Sequence, residues 1–259
     1  MYKDILVLLD PSQDTDARLK LAAELAAIHG ARLVGVDVSS GRAFESDWLE
    51  RATSLPDLFS EAINNARIMG VYTTIDRWVP AGRHDYAHYA DLIVAGQPEF
   101  ETREIVAAGV PEEVLLSSGV PMLLLPYGWK GGTIGERIAV AWKSSREATR
   151  AVHDALPFLR RAKKVTAFTF GPNPDGSGAE PDALIEHLGR HEVKAEAARW
   201  WVVRGEMTPV SALFASLDTQ DADMIVAGAY GHSRWVEAML GGVSRDLIRQ
   251  PALPVLLSH

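Results

Sequence analysis

The sequence predicts an α/β protein made of two tandem five-stranded parallel-sheet domains. Three observations carry that expectation. Short apolar runs of four to nine residues alternate with segments of helical periodicity. Whole segments recur at one offset. Asp91-Leu-Ile-Val-Ala-Gly96 returns as Asp223-Met-Ile-Val-Ala-Gly228, 132 positions on. Val120-Pro-Met-Leu-Leu-Leu125 returns as Leu253-Pro-Val-Leu-Leu257, and Ile5–Leu9 matches Ile138–Trp142, both at 133. A period of that length is the size of a small domain, too long for a solenoid. Between the copies, Pro126–Glu136 carries four glycines and a proline, which continue neither strand nor helix. The expected domains are therefore residues 1–127 and 136–259.

In the first copy, Asp4–Leu9 is too short for a helix and stops at Asp10-Pro11, so it reads as a strand. Asp14–His29 sets Leu19, Ala22, Ala23, Ala26 and Ala27 on one face, a helix that Gly30 ends. Arg32–Val38 is the second strand. Leu55–Met69 reads as a helix, with Leu58, Ala62, Asn65 and Met69 in step and Gly70 as its stop. Val71–Val79 is β-branched and aromatic, hence a strand. Leu92–Ala95 and Met122–Leu125 are buried strands on either side of a helix near Glu112–Ser118. The second copy repeats the order, with strands near 138–142, 164–170, 193–203, 224–227 and 254–257. Gly171–Gly178 is read as a loop. Apolar strands separated by helices imply parallel pairing with both faces covered.

Composition narrows the function. The chain has 259 residues, 47% of them apolar and 23% charged, a globular balance. It has no cysteine, which removes disulfides, thiolate nucleophiles and cysteine-held metals. Twenty-six basic against 34 acidic residues, net −8, argue against nucleic acid or an anionic membrane as partner. No apolar run is long enough to cross a bilayer or to serve as a signal peptide, so a cytoplasmic location is expected.

Ligands of such sheets bind beyond the carboxyl ends of the strands, where the strand order reverses. After the first strand of each copy come Asp10-Pro-Ser12 and Lys143-Ser-Ser145. After the fourth come Gly96-Gln-Pro-Glu99 and Gly228-Ala-Tyr-Gly231-His232. The latter continues to Gly241-Gly242-Val243-Ser244, where glycines open a helix whose free N–H groups favour an anion. The physical reading is a nucleotide-phosphate cradle, with Ser244 as hydroxyl donor and Arg234 or Arg245 as added charge.

Gly228-x2-Gly231-x9-Gly241-Gly242-Val-Ser244 resembles the nucleotide-binding loop of universal stress proteins, G-x2-G-x9-G-[S/T]. The first strand with Asp10-Pro-Ser12 and the closing Leu253-Pro-Val-Leu-Leu257 are similar to that family's first and last strands. The resemblance is to its tandem-domain subgroup. It implies Rossmann-like domains of the adenine nucleotide alpha hydrolase type, related by a pseudo-two-fold and paired through their last strands. It also implies a stress-response role with ATP or AMP as candidate ligands. In nucleotide-binding members an acidic residue after the first strand contacts the nucleoside, and a second-strand residue lines the adenine.

Carried over by position, the two copies differ. The second keeps the glycine loop, but Gly242 stands where the family has Ser or Thr, and Lys143 stands at the acidic position. Lysine accepts no hydrogen bond from a ribose but meets a phosphate. Phe168 falls at the base-stacking position. The first copy keeps Asp10, with Val36 at the adenine position and Gly96 after the fourth strand, but its loop is degenerate. Glu99, Ala108 and Glu112 replace Gly231, Gly241 and Arg245. A carboxylate beside a phosphate costs about 4 kcal/mol per charge pair at ~4 Å, so ATP is not expected there.

No metal is expected. His84 and His88, and likewise His187 and His191, are spaced i, i+4. Both pairs are read as solvated helix faces, because sequence supplies no third ligand. Trp200 and Trp201 are read as packing residues. No P-loop, nucleophile elbow or catalytic triad is found, so a binding protein is expected more than an enzyme. The alternatives are a nucleotide-free protein acting through a partner or a homodimer, and a slow ATPase.

Overall fold

The structure is a computed structural model that describes residues 1–39, 46–75, 85–97, 110–171, 181–201, 221–229 and 252–259. The chain divides into two compact units, Met1–Gly132 and Thr133–His259.

In the first unit, β1 (Asp4–Leu9) lies between two parallel neighbours and is buried from Ile5 to Leu9. A strand covered on both faces has no use for alternation, which is why its sequence is continuously apolar. The chain then forms α1 (Thr15–His29), β2 (Arg32–Asp37), α2 (Ser46–Ala66), β3 (Gly70–Thr74), β4 (Leu92–Gly96), α3 (Val110–Ser118) and β5 (Met122–Leu125). The strand order is β3-β2-β1-β4-β5, with parallel pairing throughout. Gly30 ends α1 in the left-handed region, its N–H turned back to the carbonyls of Ala26 and Ala27.

Helix α2 departs from the sequence expectation at both ends. It begins at Ser46, nine residues before Leu55, and runs through Pro56. Leu55 and Phe59 are each 2% exposed. Burying two such side chains contributes about 1.5–3 kcal/mol each, enough to offset the ~3 kcal/mol of an interior proline. At the other end Arg67 takes φ +54°, so the helix stops before Met69, whose side chain is 77% exposed rather than in step with the buried face. Residues 76–79, expected to prolong β3, lie outside the described residues.

The second unit repeats the plan with β6 (Arg137–Trp142), α4 (Arg146–Asp154), a one-turn α5 (Leu156–Leu159), β7 (Lys164–Gly171), α6 (Pro181–Arg190), β8 (Ala195–Trp201), β9 (Met224–Gly228) and β10 (Val255–Ser258). The order is β8-β7-β6-β9-β10, again parallel. Among the described residues no helix is long and apolar enough to cross a membrane.

One duplicated residue has a visible task. Asp91, just before β4, accepts the backbone N–H groups of Lys3 and Asp4 at 2.6 and 3.0 Å. Its counterpart Asp223, just before β9, accepts those of Gly135, Glu136 and Arg137 at 2.8 to 3.2 Å. Each carboxylate satisfies amides that lead into the first strand of its unit, which explains why the recurring segment opens on aspartate.

Candidate functional site

Strand order reverses beside β1 in the first unit, since β1 pairs with both β2 and β4. In the second it reverses beside β6, which pairs with β7 and β9. The two mouths therefore open where β1 and β4 end, at Asp10 and Gly96, and where β6 and β9 end, at Lys143 and Gly228.

The first mouth is filled from within by Arg18. This residue sits in the second turn of α1, is 1% exposed, and reaches over the backbone of Gly96. Its Nη2 lies 3.0 Å from Asp10 Oδ1 and donates to Thr15 Oγ1 at 2.8 Å. Asp10 also accepts the Ser12 N–H at 3.0 Å. Burial alone pushes the Asp10 carboxyl up. The Arg18 charge and the Ser12 and Arg18 hydrogen bonds outweigh it, and the net effect is below the usual carboxylate value of 3.8. The space over Gly96 is so fully taken by the guanidinium that a Cβ there would collide with it. Beside this ion pair, Ser12, Thr15, Asp16 and Arg51 help line a cleft of about 440 Å³ between the β1–α1 turn and α2.

At the second mouth backbone, not a side chain, lies against the glycine. A Cβ at Gly228 would stand 2.5 Å from Ala148 N and 2.6 Å from Glu147 C, so the first turn of α4 crosses the end of β9 at a distance only glycine permits. That turn supplies its own caps. Ser145 Oγ accepts the Ala148 N–H at 3.2 Å. Glu147, 6% exposed, takes a hydrogen bond from its own backbone N–H, the main reason its carboxyl sits below the usual range. The α4 N-terminus is thus satisfied by the chain itself. Lys143 and Ser144 stand exposed just before it. Beyond Gly228, the Ala229 N–H donates to the Ser258 carbonyl at 2.8 Å.

The predicted residues fare differently. Asp10 and Gly96 meet in one place, joined by Arg18. Lys143 and Gly228 end neighbouring strands. Two of the expected residues are buried. Phe168, expected to stack on a base, is 0% exposed. It lies in the middle of β7, paired with Ala141 of β6 and Ala198 of β8, where small neighbours leave room for a core ring. Val36, expected to line an adenine, is likewise wholly buried in β2. Gly231, His232, Gly241, Gly242, Val243 and Ser244 lie outside the described residues, as do His84, Glu99, Arg234 and Arg245.

Sequence reasoning missed Arg18, Ser145 and Glu147. A signal for the first was present. Arg18 falls on the apolar face of α1 at the position where the second copy has Ala151, 133 residues on. A charge replacing a core alanine asks for a buried partner, and Asp10 was the nearest candidate.

A search of curated proteins finds no match to the chain. In fold the chain is similar to a universal stress protein from Archaeoglobus fulgidus, at 18% identity over 98% of this chain and 95% of that one, with a TM-score of 0.73. It is similar also to a Pseudomonas aeruginosa protein named for the same family, at 15% identity over 99% and 93%, with a TM-score of 0.63. The sequence from residue 135 to residue 259 matches the Universal stress protein family. The family match thus covers the second half of the chain, and the likeness in fold extends along nearly its whole length.

Proposed function

We propose that the chain is a tandem universal stress protein, with domains 1–127 and 136–259, that binds an adenine nucleotide, ATP or AMP, in its second half only. The observation that carries this reading is the contrast between the two mouths. The first is occupied by the protein's own Arg18–Asp10 pair, and its loop sequence carries Glu99 and Ala108 where the second copy has Gly231 and Gly241. The second has no buried cation at the equivalent Ala151, offers exposed Lys143 beside Gly228, and is followed by Gly231, Gly241, Gly242 and Ser244 in the family's spacing. In this reading the glycine-loop amides, His232, Val243 and Ser244 surround the phosphates, and Lys143 supplies the charge.

Isothermal titration of ATP and AMP into the full chain tests it. The expected result is one site per chain, abolished by Gly231→Glu combined with Gly241→Ala. Binding that survives both changes defeats the cradle.

A second reading is favoured by one observation. The α4 N-terminus is already capped by Ser145 and Glu147, so less of the second mouth is open to an anion. On that reading the protein binds no nucleotide and works through a protein partner or a homodimer. A melting temperature unmoved by millimolar ATP or AMP supports it, since a ligand that binds only the native state must raise stability. Phosphate release above background, lost with the loop double variant, would instead support a slow ATPase.

A further inference from the structure

Away from either mouth, three imidazoles meet on the second unit. His153 comes from the last turn of α4, His187 from α6, and His191 from the turn that follows α6. The His153 and His187 rings are stacked, with centroids 5.4 Å apart and planes 10° from parallel. His191 closes the group at 4.7 Å from His187 and 6.2 Å from His153. The sequence expectation of a solvated i, i+4 face is therefore incomplete, because a third histidine covers the pair from another helix. Nε2 of His187 is buried and makes no hydrogen bond. Among the described residues no such group has donors placed to hold a metal ion, so the chemistry open to this cluster is gain and loss of protons.

We propose that His153, His187 and His191 form a proton-operated latch between α4 and α6, closed while the His187 imidazole is neutral and released when it takes up a proton. Neutral rings stack without penalty. A proton on His187 places a cation between two other imidazoles, on a ring whose buried nitrogen has nothing to receive the bond. The surrounding charges do not relieve it. On α4, Arg150 and Asp154 hold each other at 3.0 Å, and Asp154 also accepts the Ser258 hydroxyl of β10 at 3.0 Å. On α6, Glu186 is engaged by Arg190 at 2.6 Å. Behind α5, Arg160 donates to the His191 carbonyl at 3.1 Å, adding a cation to that side. Glu192 and Lys194 in the following turn are exposed and opposite in sign. Burial first, then His191, His153 and Arg190, all hold the His187 imidazole below its ordinary value of 6.5.

The sign follows from linkage. A base whose value is depressed when packed binds fewer protons packed than released. The latch is therefore fully closed above about pH 6.5, and loses its hold as the pH falls below it. Release would free α6, whose buried Leu184 and Leu188 cover the β7–β8 side of the sheet.

The test uses the full chain. Ring resonances of the histidines are followed by NMR from about pH 7.5 to about 5.5, alongside amide hydrogen exchange in α6 and in α1 as control. His187 should titrate below 6.5, and His153→Gln should raise it toward that value. After correction for intrinsic exchange chemistry, opening of α6 should increase about tenfold per pH unit for each proton taken up, while α1 stays level. His187→Gln should flatten that rise. Titration of His187 at or above 6.5 overturns the proposal. So does a rise in α6 opening that is equal in wild type and in the His153→Gln variant, which remains informative should His187→Gln fail to fold.

Discussion

The two mouths solve one geometric problem in opposite ways. Both units pack something against the glycine at the edge of the crevice where the strand order reverses. The first does it with a side chain, inserting Arg18 against Asp10 and over Gly96. The second does it with backbone, running the start of α4 directly across Gly228. The comparison teaches that a duplicated fold preserves strand order more faithfully than it preserves what sits at the strand ends. A side-chain filling binds one half to itself. A backbone filling leaves the charges at the rim, Lys143 among them, turned outward.

The most disruptive way to break the comparison is Arg18→Ala. It removes a fully buried guanidinium and strands the Asp10 carboxylate, so urea unfolding of the variant should show a loss of about 3–5 kcal/mol. Arg18→Met, which fills the volume without the charge, together with Asp10→Asn should recover most of it. If Arg18→Ala costs under ~1 kcal/mol, the first mouth is not held by this pair.

Next comes a glycine pair. Gly228→Ala meets immovable helix backbone and should cost about 1–3 kcal/mol. Gly96→Ala meets only the Arg18 side chain. Its cost should shrink when Arg18→Met is added, whereas nothing of the kind rescues Gly228→Ala. Thermal melts of Gly228→Ala and of Gly96→Ala, each with and without Arg18→Met, decide whether the two arrangements differ as described.

A pH experiment sharpens the same contrast. Asp10 has a depressed value when folded, so its contribution is present above its ordinary 3.8 and is lost as the pH falls through the folded value. Asp10→Asn should therefore flatten the acid limb of the stability curve, as followed by circular dichroism. Lys143→Gln at the equivalent position should leave that limb unchanged.

The smallest effect expected concerns helix starts. Ser145 caps α4 with its hydroxyl, whereas Asp14 makes no side-chain cap on α1. Ser145→Ala should cost about 1 kcal/mol, and Asp14→Ala less.

The tandem α/β architecture was legible because it rests on patterns that strand burial imposes. Ile5–Leu9 and Ile138–Trp142 are apolar because neighbours cover them on both faces, and periodicity reads that directly. The bounds of α2 were not legible, because Pro56 signals a helix start while the buried Leu55 and Phe59 hold the helix through it. The site was partly legible. Asp10 and Gly96 were placed at one mouth by topology alone, but Arg18, whose charge organises that mouth, reads locally as one residue of an amphipathic helix. Phe168 was named from its place along the second strand, which does not tell whether a side chain there opens to a ligand or packs in the core. The meeting of His153 with His187 and His191 joins residues 34 and 38 positions apart, which no local spacing rule connects.

The carboxylates of Asp91 and Asp223 reach amides up to 88 positions earlier in the chain. A nascent half therefore leaves the ribosome with the amides at the head of its opening strand unmet until roughly ninety residues have emerged. During that interval β1 or β6 has only one of its two strand neighbours, which makes its open edge the place a chaperone would be expected to shield.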